Sequence, residues 1–165
     1  MRQPELNFCL DTAKSAAVLA GQFLKKHQGK SLKILSNDGR DIKLQLDLDT
    51  EEIIKQHLSS QTSYSVLGEE LGPSDSLGEF YWVVDPLDGT SNFLRKIPIS
   101  CVSIALMQNM KPILGVIFDF NHEEIYYGHK DSKAYINNNE IRVSSLILNN
   151  KIFQFYKFSL LLYLH

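Results

Sequence analysis

Cysteine is scarce in this chain, which has two in 165 residues. Two cysteines do not make a disulfide framework, and Cys9 and Cys101 each lie in an apolar pattern, so we expect buried, reduced thiols. The first residues, MRQPELNF, lack a basic segment followed by an apolar core, so we predict no signal peptide and expect a cytoplasmic protein. The 17 basic residues are dispersed and the net charge is −2, which argues against binding to nucleic acid.

Long uncharged apolar runs are also missing. Residues 146–165 contain 13 apolar residues of 20, but Lys151, Gln154 and Lys157 interrupt them, so they do not predict a membrane span. Low charge and high β-propensity instead favour a buried or mispaired strand, or an aggregation-prone tail. We therefore expect one domain at residues 1–145 and an atypical apolar tail at 146–165, which we interpret as a truncation scar.

The apolar spacing predicts a pair of helices and a strand-rich remainder. Residues 5–27 and 50–58 show helical periodicity, and residues 31–46 alternate around an Asp-Gly pair that is typical of a hairpin. Strands are predicted at residues 81–84, 102–107, 113–118, 124–127 and 134–136. The expected fold class is α+β, with the helix pair packed on a mainly antiparallel sheet.

The segment WVVDPLDGTSNF, residues 82–93, combines acids with turn and helix-starting residues. Its apolar beginning predicts a buried strand that ends at Asp85, because Pro86 has no N–H with which to continue the pairing. Asp88 follows three residues later, and Glu69 lies sixteen residues before Asp85. Mg²⁺ binds oxygen ligands and usually takes only a few carboxylates from protein, so these acids are candidate magnesium ligands.

The residues after Asp88 indicate a phosphate site beside the metal. Gly89 permits close approach of the backbone, and Thr90, Ser91 and Asn92 are residues that commonly begin helices. Free N–H groups at the start of a helix favour an anion. The sequence therefore predicts that metal and phosphate sites are neighbours.

The same residues also have plainer interpretations. Two aspartates around Pro-Leu can simply form a surface turn, and Glu69-Glu70 can be a solvated acidic pair, with Glu70 facing solvent or the outside of the site. Arg95-Lys96 is more typical of a charged rim than of a phosphate clamp. The five histidines have no ligand spacing and are predicted to lie on the surface; they are His27, His57, His122, His129 and His165.

Residues 82–93, with Gly-Glu-Glu at 68–70, resemble the inositol monophosphatase family, whose hallmark is D-P-hydrophobic-D-G-T/S preceded by G-E-E. The resemblance covers residues 13–144, and it implies the N-terminal half of a layered α/β sugar-phosphatase fold. Residues 41–54 resemble the family segment D-L-V-T-x-x-D-x-x-x-E-x-x-I, which places Asp47 on an acid that helps to activate water. Lys43-Leu44 stands where the family commonly has Val-Thr, so Asp49 stays a competitor for that role.

The resemblance implies a metal set and a mechanism. Glu69, Asp85 and the Leu87 carbonyl would bind a first Mg²⁺, and Asp85 and Asp88 a second one nearer the leaving group. The phosphate would be bound around Leu87 and Asp88 and seated on the N–H groups of Gly89 and Thr90. Thr90 and Asp47 would then orient a water, activated by the metal, for in-line attack on phosphorus.

The family's second half, with a further metal-binding Asp and most substrate contacts, has no counterpart in these residues. The resemblance therefore implies two functions. One is a Mg²⁺-dependent phosphomonoesterase that acts on a small phosphorylated polyol of the inositol 1-phosphate type, with a 3′(2′),5′-bisphosphate nucleotide or a sugar bisphosphate as alternative substrates. The other is an inactive fragment that acts at most as a metal-binding or dimerising module. A homodimer is possible in either case.

Overall fold

The structure is a computed structural model that describes residues 3–38, 41–73 and 75–142. Its helices are α1 Gln3–His27, α2 Gln45–Gln61 and α3 Thr90–Leu94. Its strands are β1 Ile34–Asp38, β2 Asp41–Leu44, β3 Ser65–Gly68, β4 Gly72–Pro73, β5 Phe80–Asp88, β6 Cys101–Gln108, β7 Lys111–Asp119, β8 Glu124–His129, β9 Ala134–Ile136 and β10 Asn139–Ile141.

Within these residues the strands form a hairpin and one large sheet. The hairpin pairs β1 with β2, and the sheet has the order β10-β9-β8-β7-β6-β5-β3-β4. All neighbours in the sheet are antiparallel except β3 and β5, which run parallel. Helix α1 packs on β6, β7 and β8, and α2 packs on α1, β3 and β5. The predicted α+β fold, with a helix pair on a mainly antiparallel sheet, is confirmed.

The core lies between the two long helices and the sheet. The apolar stripe predicted on α1 is buried, and it consists of Leu6, Leu10, Ala13, Ala17, Ala20 and Leu24. Alanines in this stripe keep the helix close to the strands, and at Gly21 a Cβ would stand 2.5 Å from the Phe118 ring. Trp82, on β5, is fully buried and donates its indole N–H to Thr62 Oγ1 at 2.9 Å, which joins the sheet to the end of α2. This hydrogen bond anchors β5, the strand that carries Asp85 and Asp88, to α2.

Several boundaries differ from the prediction. Helix α2 begins at Gln45 rather than Thr50, because the Leu44 N–H donates to the Asp47 carboxylate at 2.8 Å and starts the helix there. Gln45 and Leu46 are thus helical and not part of the hairpin, whose Gly39-Arg40 tip lies outside the described residues. Strands β3, β4 and β10, of four, two and three residues, were not among the predicted strands.

One histidine prediction is wrong. His129 is 8% exposed, because its ring lies against the turn after β8, where its Nδ1 accepts the Asp131 N–H at 3.3 Å. Both cysteines are free and buried, as predicted. Among the described helices, none is long and apolar enough to cross a membrane. The predicted tail at 146–165 lies outside the described residues, and so does its boundary with the domain.

The contact at Gly21 gives a test of the helix packing. Alanine in a helix interior ordinarily stabilises by about 1 kcal/mol relative to glycine. Because its Cβ would strike the Phe118 ring, we expect Gly21→Ala instead to destabilise the protein by about 1–3 kcal/mol in urea unfolding. Gly78→Ala is the control, since its Cβ would meet nothing closer than 4.0 Å. A stabilised Gly21→Ala would contradict this packing.

Candidate active site

Strand β5 carries both aspartates of the predicted metal site on a bulge. Asp85 pairs with Ser103 and Asp88 with Cys101, and the register shifts between them, so Pro86 and Leu87 leave the ladder. The prediction that the strand ends at Asp85 is therefore wrong, because the strand resumes at Asp88. Such bulges re-aim side chains beside functional sites. The Leu87 N–H donates to Asp85 Oδ1 at 3.1 Å, which fixes the first carboxyl group against the bulge.

The turn after β5 requires glycine. Gly89 has φ 86°, and a Cβ there would lie 2.8 Å from the Ile99 carbonyl oxygen. Its own carbonyl accepts the N–H groups of Asn92 and Phe93 and so begins α3. The Thr90 hydroxyl donates to the Leu87 carbonyl at 3.0 Å. The predicted phosphate residues are therefore one continuous turn with a fixed backbone.

Asp88 lies half-buried at the end of the bulge. Burial raises the pKa of its carboxyl group, while hydrogen bonds from Cys101 and from the Gly89 backbone lower it. The Cys101 thiol donates to Asp88 Oδ2 at 3.7 Å. Burial, and then the charges of Asp88 and Asp85, raise the pKa of that thiol far above its usual range, so Cys101 is a neutral donor to the acid.

Glu69 follows the end of β3 and approaches Asp85 from there. Its backbone N–H donates to the Val84 carbonyl at 3.1 Å, which ties its turn to β5 one residue before Asp85. Burial first, and then the charges of Glu69 and Asp88 and a hydrogen bond with Glu69, raise the pKa of Asp85 well above its usual range. Asp85 therefore interacts in the fold with Glu69, sixteen residues before it, and with Asp88, three residues after it.

Asp47 faces this acidic group from the first turn of α2. Its Oδ2 accepts the Leu44 N–H, whereas its Oδ1 is buried and has no hydrogen-bond partner in the part of the chain that the structure describes. Burial, with smaller contributions from Glu70 and Glu69, raises its pKa from 3.8 to about 7, against the lowering effects of the Leu44 hydrogen bond and Lys43. Asp47 therefore caps a helix with one oxygen and leaves the other available.

Asp49, the competitor of Asp47, and Glu70 take other positions. Asp49 is exposed and accepts a hydrogen bond from the Gln45 amide at 2.9 Å. Glu70 does not face solvent, as one reading of the sequence expected, because its side chain is 10% exposed and pairs with Lys43 at 3.2 Å. Lys43, a departure from the family pattern, thus brings a cation beside the acidic group.

Glu51 was not among the predicted site residues, and it is fully buried on α2 one turn after Asp47. Its carboxylate accepts the backbone N–H groups of Glu70 and Leu71 at 2.8 and 3.0 Å. The signal was present, because a glutamate four residues after the aspartate belongs to the family segment that residues 41–54 resemble. Its helical spacing from Asp47 places both acids on one face of α2.

The donor set fits a hard cation bound in an open site. Among the described residues, no three His, Cys, Asp or Glu side chains close around one point as a metal cage. The carboxyl groups form pairs instead, Glu69 with Asp85 and Asp85 with Asp88, beside the Leu87 carbonyl. Mg²⁺ keeps several waters and substrate oxygens and needs few carboxylates, whereas structural zinc sites use four closed nitrogen or sulfur ligands. Oxygen donors around Asp85, whose pKa the charges of Glu69 and Asp88 raise, suit Mg²⁺.

Comparisons with known proteins give the class. A sequence model of the inositol monophosphatase family matches residues 5–160. A protein of Aquifex aeolicus described as fructose-1,6-bisphosphatase/inositol-1-monophosphatase is 37% identical over 137 residues, which are 81% of this chain and 52% of that protein.

Solved structures agree. The extragenic suppressor protein suhB of Bartonella henselae has a TM-score of 0.77 at 34% identity, covering 84% of this chain and 54% of that one. Inositol monophosphatase from Anabaena (Nostoc) sp. PCC 7120 has a TM-score of 0.74 at 31% identity, covering 86% and 52%. The chain belongs to the inositol monophosphatase family, and it spans about half the length of the curated relatives it matches.

The pKa of Asp47 predicts how stability changes with pH. Its folded-state pKa is above its ordinary value of 3.8, so the stabilisation is present at low pH and is lost as pH rises through about 7. With chelator present, we expect the free energy of unfolding in urea to decrease between about pH 5 and pH 8, and to decrease less in Asp47→Asn than in the parent. The variant's amide oxygen can still accept the Leu44 N–H. Asp49→Asn, an exposed change of the same kind, is the control. Equal slopes for the parent and Asp47→Asn would contradict this account.

Proposed function

We propose that this chain carries the metal and phosphate sites of a Mg²⁺-dependent phosphomonoesterase that hydrolyses a small phosphorylated polyol of the inositol 1-phosphate type. The observation that carries the proposal is the meeting of acids from three elements: Asp47 from α2, Glu69 from the turn after β3, and Asp85 and Asp88 from the β5 bulge. A surface turn would not bring Glu69 close enough to raise the pKa values of both Asp47 and Asp85.

Glu69, Asp85, Asp88 and the Leu87 carbonyl are the residues that would hold Mg²⁺. When bound, Mg²⁺ would neutralise charge on the phosphate oxygens and lower the pKa of water. The chain's own part is to hold the acids in place before substrate arrives. Leu87 N–H and the Cys101 thiol do so for Asp85 and Asp88 respectively.

Asp47 and Thr90 are the residues that would handle the attacking water. Asp47 Oδ1 is a buried oxygen without a partner among the described residues, and a carboxyl group with a pKa of about 7 can accept a proton near neutral pH. The Thr90 hydroxyl donates its hydrogen to the Leu87 carbonyl, so its oxygen lone pairs can accept a hydrogen bond from water. Gly89 permits the left-handed turn that would present the backbone to the phosphate, because a Cβ there would lie 2.8 Å from the Ile99 carbonyl oxygen.

Substrate, partners and location are proposed from the family. The names of the relatives include both inositol monophosphatase and fructose-1,6-bisphosphatase, which supports a small phosphorylated polyol or sugar. No nucleic acid or membrane partner is proposed, and a homodimer and a cytoplasmic location stay predictions. Because the chain spans about half of its relatives, a metal-binding or dimerising module without activity is the second candidate.

The first experiment measures phosphate release from inositol 1-phosphate by the purified chain, with Mg²⁺ and with chelator. We expect release that requires Mg²⁺ and falls at least about 100-fold in Asp88→Asn, as expected when about 3 kcal/mol of charge stabilisation is lost. Asp75→Asn is the control, because Asp75 is exposed. Fructose 1,6-bisphosphate and a 3′,5′-bisphosphate nucleotide in parallel reactions test the alternative substrates. A folded chain that releases no phosphate from any of them would support the inactive module.

Asp47→Asn separates catalysis from helix capping. The amide retains an oxygen for the Leu44 N–H but cannot accept a proton, so we expect kcat to fall about 10²- to 10⁴-fold. The urea midpoint at about pH 8 should not fall, because the variant no longer has to ionise a buried acid. Asp49→Asn serves again as the matched control. Unchanged kcat in Asp47→Asn would show that this acid does not act on water.

A further inference from the structure

Glu51 is a buried carboxylate that the proposed reaction does not use. It is 0% exposed, yet both of its oxygens are hydrogen-bonded: Oε2 accepts the Glu70 N–H at 2.8 Å, and Oε1 accepts the Leu71 N–H at 3.0 Å. A buried charge is costly unless it is paired and hydrogen-bonded, so this group is tied to the turn that it contacts.

Lys55, one further turn along α2, supplies the charge partner. Its ammonium lies 3.4 Å from Glu51 Oε1 and also donates to the Gly72 carbonyl at 3.3 Å. The pair therefore holds the turn at both ends, through N–H groups at its start and a carbonyl at its end. Gly68 completes the contact, because a Cβ there would overlap the Glu51 carboxylate.

The turn held in this way carries the proposed metal ligand Glu69. Glu69 lies between Gly68, which touches Glu51, and Glu70, whose N–H binds Glu51. Its own N–H is bound to Val84 on β5. The same helix carries Asp47 four residues before Glu51, so a single turn of α2 sets the spacing between the proposed catalytic acid and the Glu69 turn.

We propose that Glu51 is a positioning residue whose carboxylate, paired with Lys55, fixes Glu69 relative to Asp47 and Asp85 and thereby sets the affinity for Mg²⁺. This inference rests on the proposed function, because it assigns Glu69 to the metal. We call the contacts of Glu51 and Lys55 with residues 68–72 the clamp. The proposal predicts that the clamp can be weakened without changing any proposed metal ligand.

The test measures Mg²⁺ affinity by titration calorimetry in Glu51→Gln. The amide turns a donor towards one of the two N–H groups, so one hydrogen bond is lost, and we expect Mg²⁺ binding at least about 10-fold weaker, as for other groups that orient metal ligands. Glu52→Gln is the matched control, since Glu52 is the exposed neighbour on α2 and contacts Gln56. An unchanged affinity in a folded Glu51→Gln would overturn the proposal.

A second variant separates positioning from stability. Glu51→Gln combined with Lys55→Met removes both charges and leaves no buried ion unpaired, so we expect urea stability to recover towards the parent. Mg²⁺ affinity should stay low, because the turn has still lost its clamp. Recovery of both quantities would show a purely structural role and would also overturn the proposal.

Phosphate release distinguishes this inference from the proposed function. If the parent binds Mg²⁺ more tightly than Glu51→Gln but releases no phosphate, the inference stands and the phosphatase proposal fails. A parent that binds no Mg²⁺ overturns both. If the parent is active and Glu51→Gln equals it in Mg²⁺ affinity and in the Mg²⁺ dependence of kcat, only the clamp is wrong.

Discussion

The structure of this site depends on bringing several carboxyl groups together where water is partly excluded. Burial and mutual repulsion raise the pKa values of Asp47 and Asp85, so the arrangement opposes its own ionisation. The fold offsets this repulsion with backbone donors and nearby cations. The donors are the N–H groups of Leu44, Leu87, Glu70 and Leu71, and the cations are Lys43 and Lys55. A divalent cation would relieve the remaining repulsion, which is why the geometry and the proposed cofactor agree.

The acids are held by rigid elements rather than by loops. Asp47 lies in the first turn of α2, whose far end is attached to β5 through Thr62 and Trp82. Asp85 and Asp88 lie on a strand with paired neighbours on both sides, and the bulge between them provides the local change of direction. Sites built on helices and strands are more precise than sites on loops. Only Glu69 stands on a turn, and that turn is the one that Glu51 binds.

Much of this could be predicted from sequence, because its signals are local. The α1 stripe, the later strands and the acid-rich segment of β5 are continuous patterns, and the predicted fold class is confirmed. The start of α2 was missed because it depends on one hydrogen bond from Leu44 to Asp47 rather than on apolar spacing. The contact of Glu51 with the turn after β3 spans about twenty residues, and no periodicity reports a carboxylate that binds the backbone of another element. The site residues themselves stay predictions until their chemistry is measured.

At Lys43-Leu44 the sequence departs from the family pattern, and there Asp47 serves both helix capping and the proposed proton transfer. Leu44 precedes α2 but has no side-chain oxygen to cap it, so Asp47 provides the cap hydrogen bond from within the first turn. That bond lowers the pKa of Asp47, and Lys43 lowers it further, while burial raises it by more. The pKa of Asp47 therefore comes close to neutral pH through opposing effects. One of its oxygens is fixed by the helix, and the other is buried beside the acids. The general base that we propose would need this balance near neutral pH, and the balance arises from the same contacts that begin the helix.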